Sequence, residues 1–235
     1  MASKKKKYNL LTPNILKNGG VSLNPKQNKL QQTINKSTLT IVSGPAGCSK
    51  TFSSCYTALK MLSEKKIEQI VITKPLIESS SPMGYLPGPI DEKINPYMKS
   101  FISTFNKIIG DDITKELMAN EVIITEPLNF MRGETYDNSV ILLDEGQNLN
   151  MKDLMLWITR LGKDSKAVLM GDISQYDVKS SESNFKEFRE IMQDVNGVGK
   201  FEFDKSDIVR NPFLIDITDK YEKWQSEQIS KKRYN

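Results

Sequence analysis

The segment LTIVSGPAGCSKTFSSCYTALKML, Leu39 to Leu62, does most to limit what this chain can fold into. Its first part is a short, β-branched apolar run closed by glycine, the pattern of a strand covered on both faces. From Lys50 the apolar positions take helical spacing. A buried strand passing directly into a helix across a short glycine-containing loop is the first half of a β-α-β unit. An α/β fold with a parallel sheet sandwiched by helices is therefore expected.

The rest of the chain repeats that alternation. A polar helix is expected over residues 24–35. Strands are expected at 39–44, from 69 to a stop at Pro75, at 140–145, at 166–172 and at the FEF of 201–203. Helices are expected at 50–63, 151–161, 183–194 and 213–228. Residues 76–138 form a long inserted excursion with helices near 91–109 and 112–119 and a short strand, EVIITEP. The organisation expected is a flexible basic arm (1–22), one domain (23–228) and a basic tail (229–235).

Charge and composition exclude several chemistries. The net charge is +4, but Lys4 to Lys7 with Lys231, Lys232 and Arg233 carry seven positive charges, leaving the body at about −3. The basic surface typical of nucleic-acid binding is thus absent from the body. There is no histidine, which removes histidine triads, histidine zinc sites and histidine acid–base catalysis. Cys48 and Cys55 fall roughly 10 Å apart along a helix, too far for a disulfide. Reduced thiols, no apolar run of membrane length and no apolar segment after the basic arm lead us to expect a cytoplasmic protein with no membrane partner.

Three strand ends carry the chemistry. GPAGCSKT fits the phosphate-loop pattern G-x-x-x-x-G-K-(S/T) except at Ser49, which stands where the second glycine belongs. Gly44, Pro45, Ala46, Gly47, Cys48 and Ser49 would wrap phosphates with backbone N–H groups. Lys50 would reach the β- and γ-phosphates of ATP, and Thr51 would place its hydroxyl on Mg²⁺. We expect Ser49 at the helix start with a negative φ. VILLDEGQN ends an apolar strand in two acids: Asp144 to hold Mg²⁺ and Glu145 to polarise the attacking water. GDISQ places Gln175 to sense the γ-phosphate or orient water. The chain has only five arginines, so Arg160 and Arg210 are candidates for phosphate or interface roles, and Arg189 for a surface ion pair.

The series GPAGCSKT, ITKP, MGYLPG, EKINPY, PLNFMRGET, VILLDEGQN, ITRLG, GDISQ and DIVRNP resembles the PhoH family of P-loop ATPases from about Asn24 to Tyr221. The resemblance implies the RecA-like ATPase core of superfamily 1 helicases. It implies Gln27 as the glutamine that reads adenine, a ring-shaped homo-oligomer of six subunits, and kinship with small phage members. The family's fused PIN nuclease, which acts on RNA, has no counterpart here. Three departures stand out: Cys48-Ser49 for Thr-Gly, Lys74 for an arginine, and Gly146 for alanine.

The function expected is Mg²⁺-dependent ATP hydrolysis in a homohexameric ring, coupled to single-stranded RNA or DNA. The alternative is a ring ATPase acting on a protein partner or gating assembly. Only 60 residues follow GDISQ, short of a second core of over about 100, so a neighbouring subunit is expected to supply Arg210 or Arg160. Lys74, Lys93 and Arg132 are expected either in the ring channel, on phosphates, or at a subunit interface.

Overall fold

The computed structural model describes Leu16, residues 20–75, 90–172 and 183–209, and single helical positions between 213 and 224; in the helix starting at Ile90, side chains are described from Tyr97 onward. Six parallel strands form one sheet: β1 (Leu39–Ser43), β2 (Gln69–Thr73), β3 (Ile123–Thr125), β4 (Ser139–Leu143), β5 (Lys166–Gly171) and β6 (Val198–Glu202). Their spatial order is β3-β2-β4-β5-β1-β6, the RecA-like arrangement expected. The helices are α1 (Pro25–Lys36), α2 (Lys50–Ser63), α3 (Ile90–Ile109), α4 (Asp111–Ala119), α5 (Met151–Ile158) and α6 (Phe185–Ile191).

The strands read as unbroken apolar runs because both sheet faces are covered, and their two-residue period divides the core. Val42, Ile70, Ile72, Val140, Leu142, Val168 and Met170 pack with α1 to α4. Ile41, Val71, Ile141, Leu143, Ala167 and Leu169 turn to the other face, against Leu154 and Trp157 of α5 and Phe185 and Phe188 of α6. A one-residue slip of any strand would exchange these two sets.

The later part of the 76–138 excursion is built into this core. Met98, Phe101 and Phe105 of α3 are fully buried, and β3 pairs with β2 to form one sheet edge. β6 begins earlier than the expected FEF. A Cβ at Gly199 would collide with Thr33 Cγ2 of α1 and with Ser37 Oγ at its C-cap, so the glycine is what lets α1 lie close over this strand. Among the described residues no helix is long and apolar enough to cross a membrane.

Parallel register sets the functional edge. Ser43 lies beside Gly171, and Thr73 beside Leu143, so β1, β2, β4 and β5 all end at one level. The loops that follow them share one crevice at the carboxyl ends of the strands, where open α/β sheets bind ligands.

Candidate nucleotide site

The loop after β1 has no room for larger residues at its first position. A Cβ on Gly44 would lie 2.7 Å from Phe203 Cβ, and Gly44 has φ of 153°. Phe203 N–H donates to the Ser43 carbonyl (2.8 Å) and Val209 N–H to the Gly47 carbonyl (3.2 Å), so residues 203–209 brace the loop from outside. Lys26 of α1 in turn holds that brace through Asp204 (3.4 Å) and Asp207 (3.2 Å). Within the loop, Lys50 Nζ donates to the carbonyls of Gly44 (2.6 Å) and Pro45 (2.9 Å). Cys48 is buried, and burial pushes its thiol pKa up, partly offset by Lys50. Both cysteines are free, as expected.

Ser49 departs from expectation. It has φ 70° and ψ 26°, the left-handed conformation that favours glycine, and not the negative φ anticipated. No side-chain hydrogen bond caps α2. The first-turn N–H groups thus have no acceptor in the Ser49 side chain and stay free to bond a phosphate, as a phosphate-binding helix start requires.

The acid strand meets the loop directly. Thr51 Oγ1 donates to Asp144 Oδ2 at 2.9 Å. Glu145 N–H donates to Asp144 Oδ1 (3.0 Å), and Gln147 Nε2 donates to Glu145 Oε2 (2.7 Å). Gln147 Oε1 accepts from Asp172 N–H (3.0 Å), tying the end of β4 to the end of β5. Glu145 is also left-handed, with φ of 60°. Lys74 lies inside this group, 3.7 Å from Asp144 Oδ2 and 3.9 Å from Glu145 Oε1, its ammonium over the Phe101 ring at 5.8 Å. Its side chain is only 13% exposed, which places it against the carboxylates and not on an outer surface.

The donor set fits Mg²⁺ with a polyphosphate. The described residues contain no cluster of three or more metal-ligating side chains that would cage an ion alone. One carboxylate and one hydroxyl in mutual contact are what Mg²⁺ uses when substrate phosphates and water complete its shell.

Other candidates lie elsewhere. Gln27 is buried at the start of α1 in a reciprocal capping box with Asn24, its Oε1 accepting from Asn24 N–H (2.9 Å). Arg160 donates to the carbonyls of Leu156 (3.2 Å) and Glu134 (3.1 Å) at the end of α5, near where β4 begins, at the opposite end of the strands from the loop. Arg132 is exposed in a turn, and Arg189 forms the expected ion pair, with Glu202 (2.7 Å). Gln175, Arg210 and the Lys93 side chain fall outside the described residues. Sequence reading missed Gln147, although its place two residues after Glu145 was a usable signal. It also missed Ser100, Ser103, Thr104 and Lys107 of α3, which join Gly47, Ser49, Lys50, Thr51, Phe52 and Val209 around a cleft of about 480 Å³.

A strand-to-helix phosphate loop whose threonine bonds the aspartate just past β4, one strand removed across β5, defines a P-loop nucleotide-binding protein. Comparison with known proteins narrows the class. Residues 21–222 match the family described as PhoH-like protein, and the chain belongs to that family. It is 35% identical over 181 residues to the PhoH-like protein of Bacillus subtilis, covering 77% of this chain and 57% of that one. Against Protein PhoH of Escherichia coli K12 it is 31% identical over 183 residues, covering 77% of this chain and 52% of that one. The chain thus spans little more than half the length of these relatives. Among solved structures, Pif1 helicase from Candida albicans aligns over 78% of this chain and 40% of its own (12% identity, TM-score 0.37). Bacteroides sp Pif1 in complex with ADP-AlF4 aligns over 84% and 45% (16% identity, TM-score 0.36). At that distance neither carries an argument about this chain.

Proposed function

We propose that this chain is a Mg²⁺-dependent ATPase that works as a homo-oligomeric ring on single-stranded RNA or DNA. The observation that carries the hydrolytic part is the Thr51–Asp144 hydrogen bond, which joins the loop to the acid strand. Lys50 exchanges the Gly44 and Pro45 carbonyls for β- and γ-phosphate oxygens. Thr51 and Asp144 hold Mg²⁺, which when bound neutralises charge on those phosphates. Glu145 orients the attacking water and accepts its proton, with Gln147 fixing the carboxylate. Lys74 holds both acids in place, which leaves Lys93 and Arg132 for polynucleotide phosphates. Gln27, with its carbonyl oxygen in the capping box, offers adenine its amide N–H₂.

The ring is the family's implied assembly. Phe213, Ile217 and Trp224, 65%, 50% and 54% exposed, are apolar surface that a second subunit would cover. Arg210 then serves the neighbour's nucleotide, with Arg160 as the reserve candidate.

The test measures nucleotide binding and hydrolysis together. Lys50→Ala should lose nucleotide, whereas Glu145→Gln should hold it and hydrolyse about 10²–10⁴-fold more slowly. Parent-rate hydrolysis by Glu145→Gln removes the assigned role. Mixing Lys50→Ala with Arg210→Ala chains should restore part of the activity; no return puts the arginine in cis. RNA or single-stranded DNA should stimulate turnover, and indifference to both favours a protein partner.

A further inference from the structure

The cleft beside the phosphate loop has a second wall that the reading above leaves without a task. Ser100, Ser103, Thr104 and Lys107 follow the i, i+3, i+4, i+7 spacing, so they form one stripe of α3. The rotation of this helix is fixed by its core face. Met98, Phe101, Phe105 and Ile108 are all buried, and the stripe lies roughly a third of a turn around the axis from them. Packing that holds the apolar face in the core therefore aims the stripe across the cleft at Gly47, Ser49, Lys50, Thr51 and Phe52.

The chemistry of the lining is one-sided. Among the described residues its charged side chains are Lys50 and Lys107, with three further side-chain hydroxyls on α3, and none of those lining residues is a carboxylate. Two ammonium groups facing one space repel each other, and an anion between them removes that cost. Lys107 enters no ion pair among the described residues, unlike Lys115 on the next helix, which pairs with Asp111. Neither Asp144 nor Glu145 borders the cleft, so it extends from the loop away from the carboxylates, alongside the backbone that wraps the α- and β-phosphates.

We propose that Lys107 is a second phosphate ligand for the bound nucleotide, with the Ser103 and Thr104 hydroxyls beside it, so that α3 closes the polyphosphate against the loop. This rests on the nucleotide-binding reading above. It gives the excursion a direct part in nucleotide affinity: a shift of α3 would tighten or loosen the site without touching the loop.

The experiment is equilibrium binding of ADP and of a non-hydrolysable ATP analogue, at two salt concentrations, to the full chain and single variants. Lys107→Ala should weaken both nucleotides about tenfold or more, the worth of one charge-assisted hydrogen bond, and reduce the salt sensitivity. Lys107→Arg should keep most of the affinity. Lys99→Ala, an exposed lysine on the same helix outside the cleft, should match the parent. If Lys107→Ala binds both nucleotides within twofold of the parent while Lys50→Ala loses them, the assignment to α3 is wrong and the nucleotide site stands. Loss of single-stranded RNA binding with nucleotide affinity intact also overturns it. A parent that binds neither nucleotide overturns both readings together.

Discussion

The ends of β1 and β4 solve the same backbone problem in opposite ways. Each is followed by a non-glycine residue in the left-handed region, Ser49 with φ 70° and Glu145 with φ 60°, where an L-residue costs roughly 1–2 kcal/mol. At Glu145 the conformation is secured from several sides: its N–H bonds Asp144, its carboxylate accepts from Gln147 and lies near Lys74, and Gln147 reaches on to Asp172. At Ser49 the side chain caps nothing. The carbonyl does take part, accepting from Ser53 N–H (2.9 Å) and Ser53 Oγ (2.8 Å) as any helix start would. Strain at the acid end is braced and fixes the direction of the carboxylate proposed to activate water. At the loop end it is what remains when a position that asks for glycine carries serine.

The largest effect should come from cutting the brace. Gln147 is 3% exposed and joins Glu145 to Asp172, just past the end of β5. Replacing it with alanine removes a hydrogen bond to a charged group, about 1.5–3 kcal/mol, so ATP hydrolysis should slow by roughly 10- to 100-fold. Nucleotide binding should hardly change, since Lys50 and Thr51 are untouched. Stopped-flow hydrolysis beside equilibrium binding reads both. Equal rates for Gln147→Ala and the parent would mean that Glu145 holds its orientation unaided, and the contrast between the two ends would collapse.

The contrast also marks what could be read from the sequence. Strand and helix types were legible because parallel strands covered on both faces leave unbroken apolar runs. That the loop and the acid pair meet was legible because each motif stands at the end of an apolar strand, and parallel strands bring those ends to one crevice. Three features were not. The left-handed φ of Ser49 was hidden because serine carries no signal for positive φ. The position of Lys74 depends on Phe101, 27 residues along the chain, which no local pattern predicts. The α3 stripe was hidden because serine and threonine on a helix read as solvent-facing until packing shows which way the helix is turned.

A smaller effect should follow at Gly146, where the family pattern has alanine. A Cβ there would lie 2.6 Å from Leu169 Cδ1, 3.1 Å from the Met170 carbonyl oxygen and 3.3 Å from Phe185 Cδ2. The Phe185 ring also fills the space over Gly171, so it wedges between the two strand ends. Gly146→Ala should therefore destabilise the fold by about 1–2 kcal/mol, overpacking outweighing the smaller gain from a stiffer unfolded chain. Chemical denaturation at unchanged m-value would show it. An unchanged or raised midpoint would mean that Leu169 and Phe185 yield easily, and that the acid end is less tightly packed than the loop end.

The smallest effect, and the one that probes the loop directly, is expected from Ser49→Gly. Glycine adopts φ 70° without the Cβ penalty, which favours the folded state by roughly 1–2 kcal/mol, but it also makes the unfolded chain freer by about 0.4–1 kcal/mol. The net should be a stabilisation of about 1 kcal/mol or less. Since the Ser49 side chain caps nothing, its loss removes no bond from the site, and hydrolysis should change by no more than about severalfold, the rate equivalent of that energy. Two results would break this account. A destabilised Ser49→Gly chain would mean that the serine hydroxyl supports the loop through a contact outweighing the backbone strain. A parent without measurable turnover, brought to activity by this one substitution, would show that the strain at position 49 spoils the phosphate cradle. The unbraced end would then be what limits the enzyme.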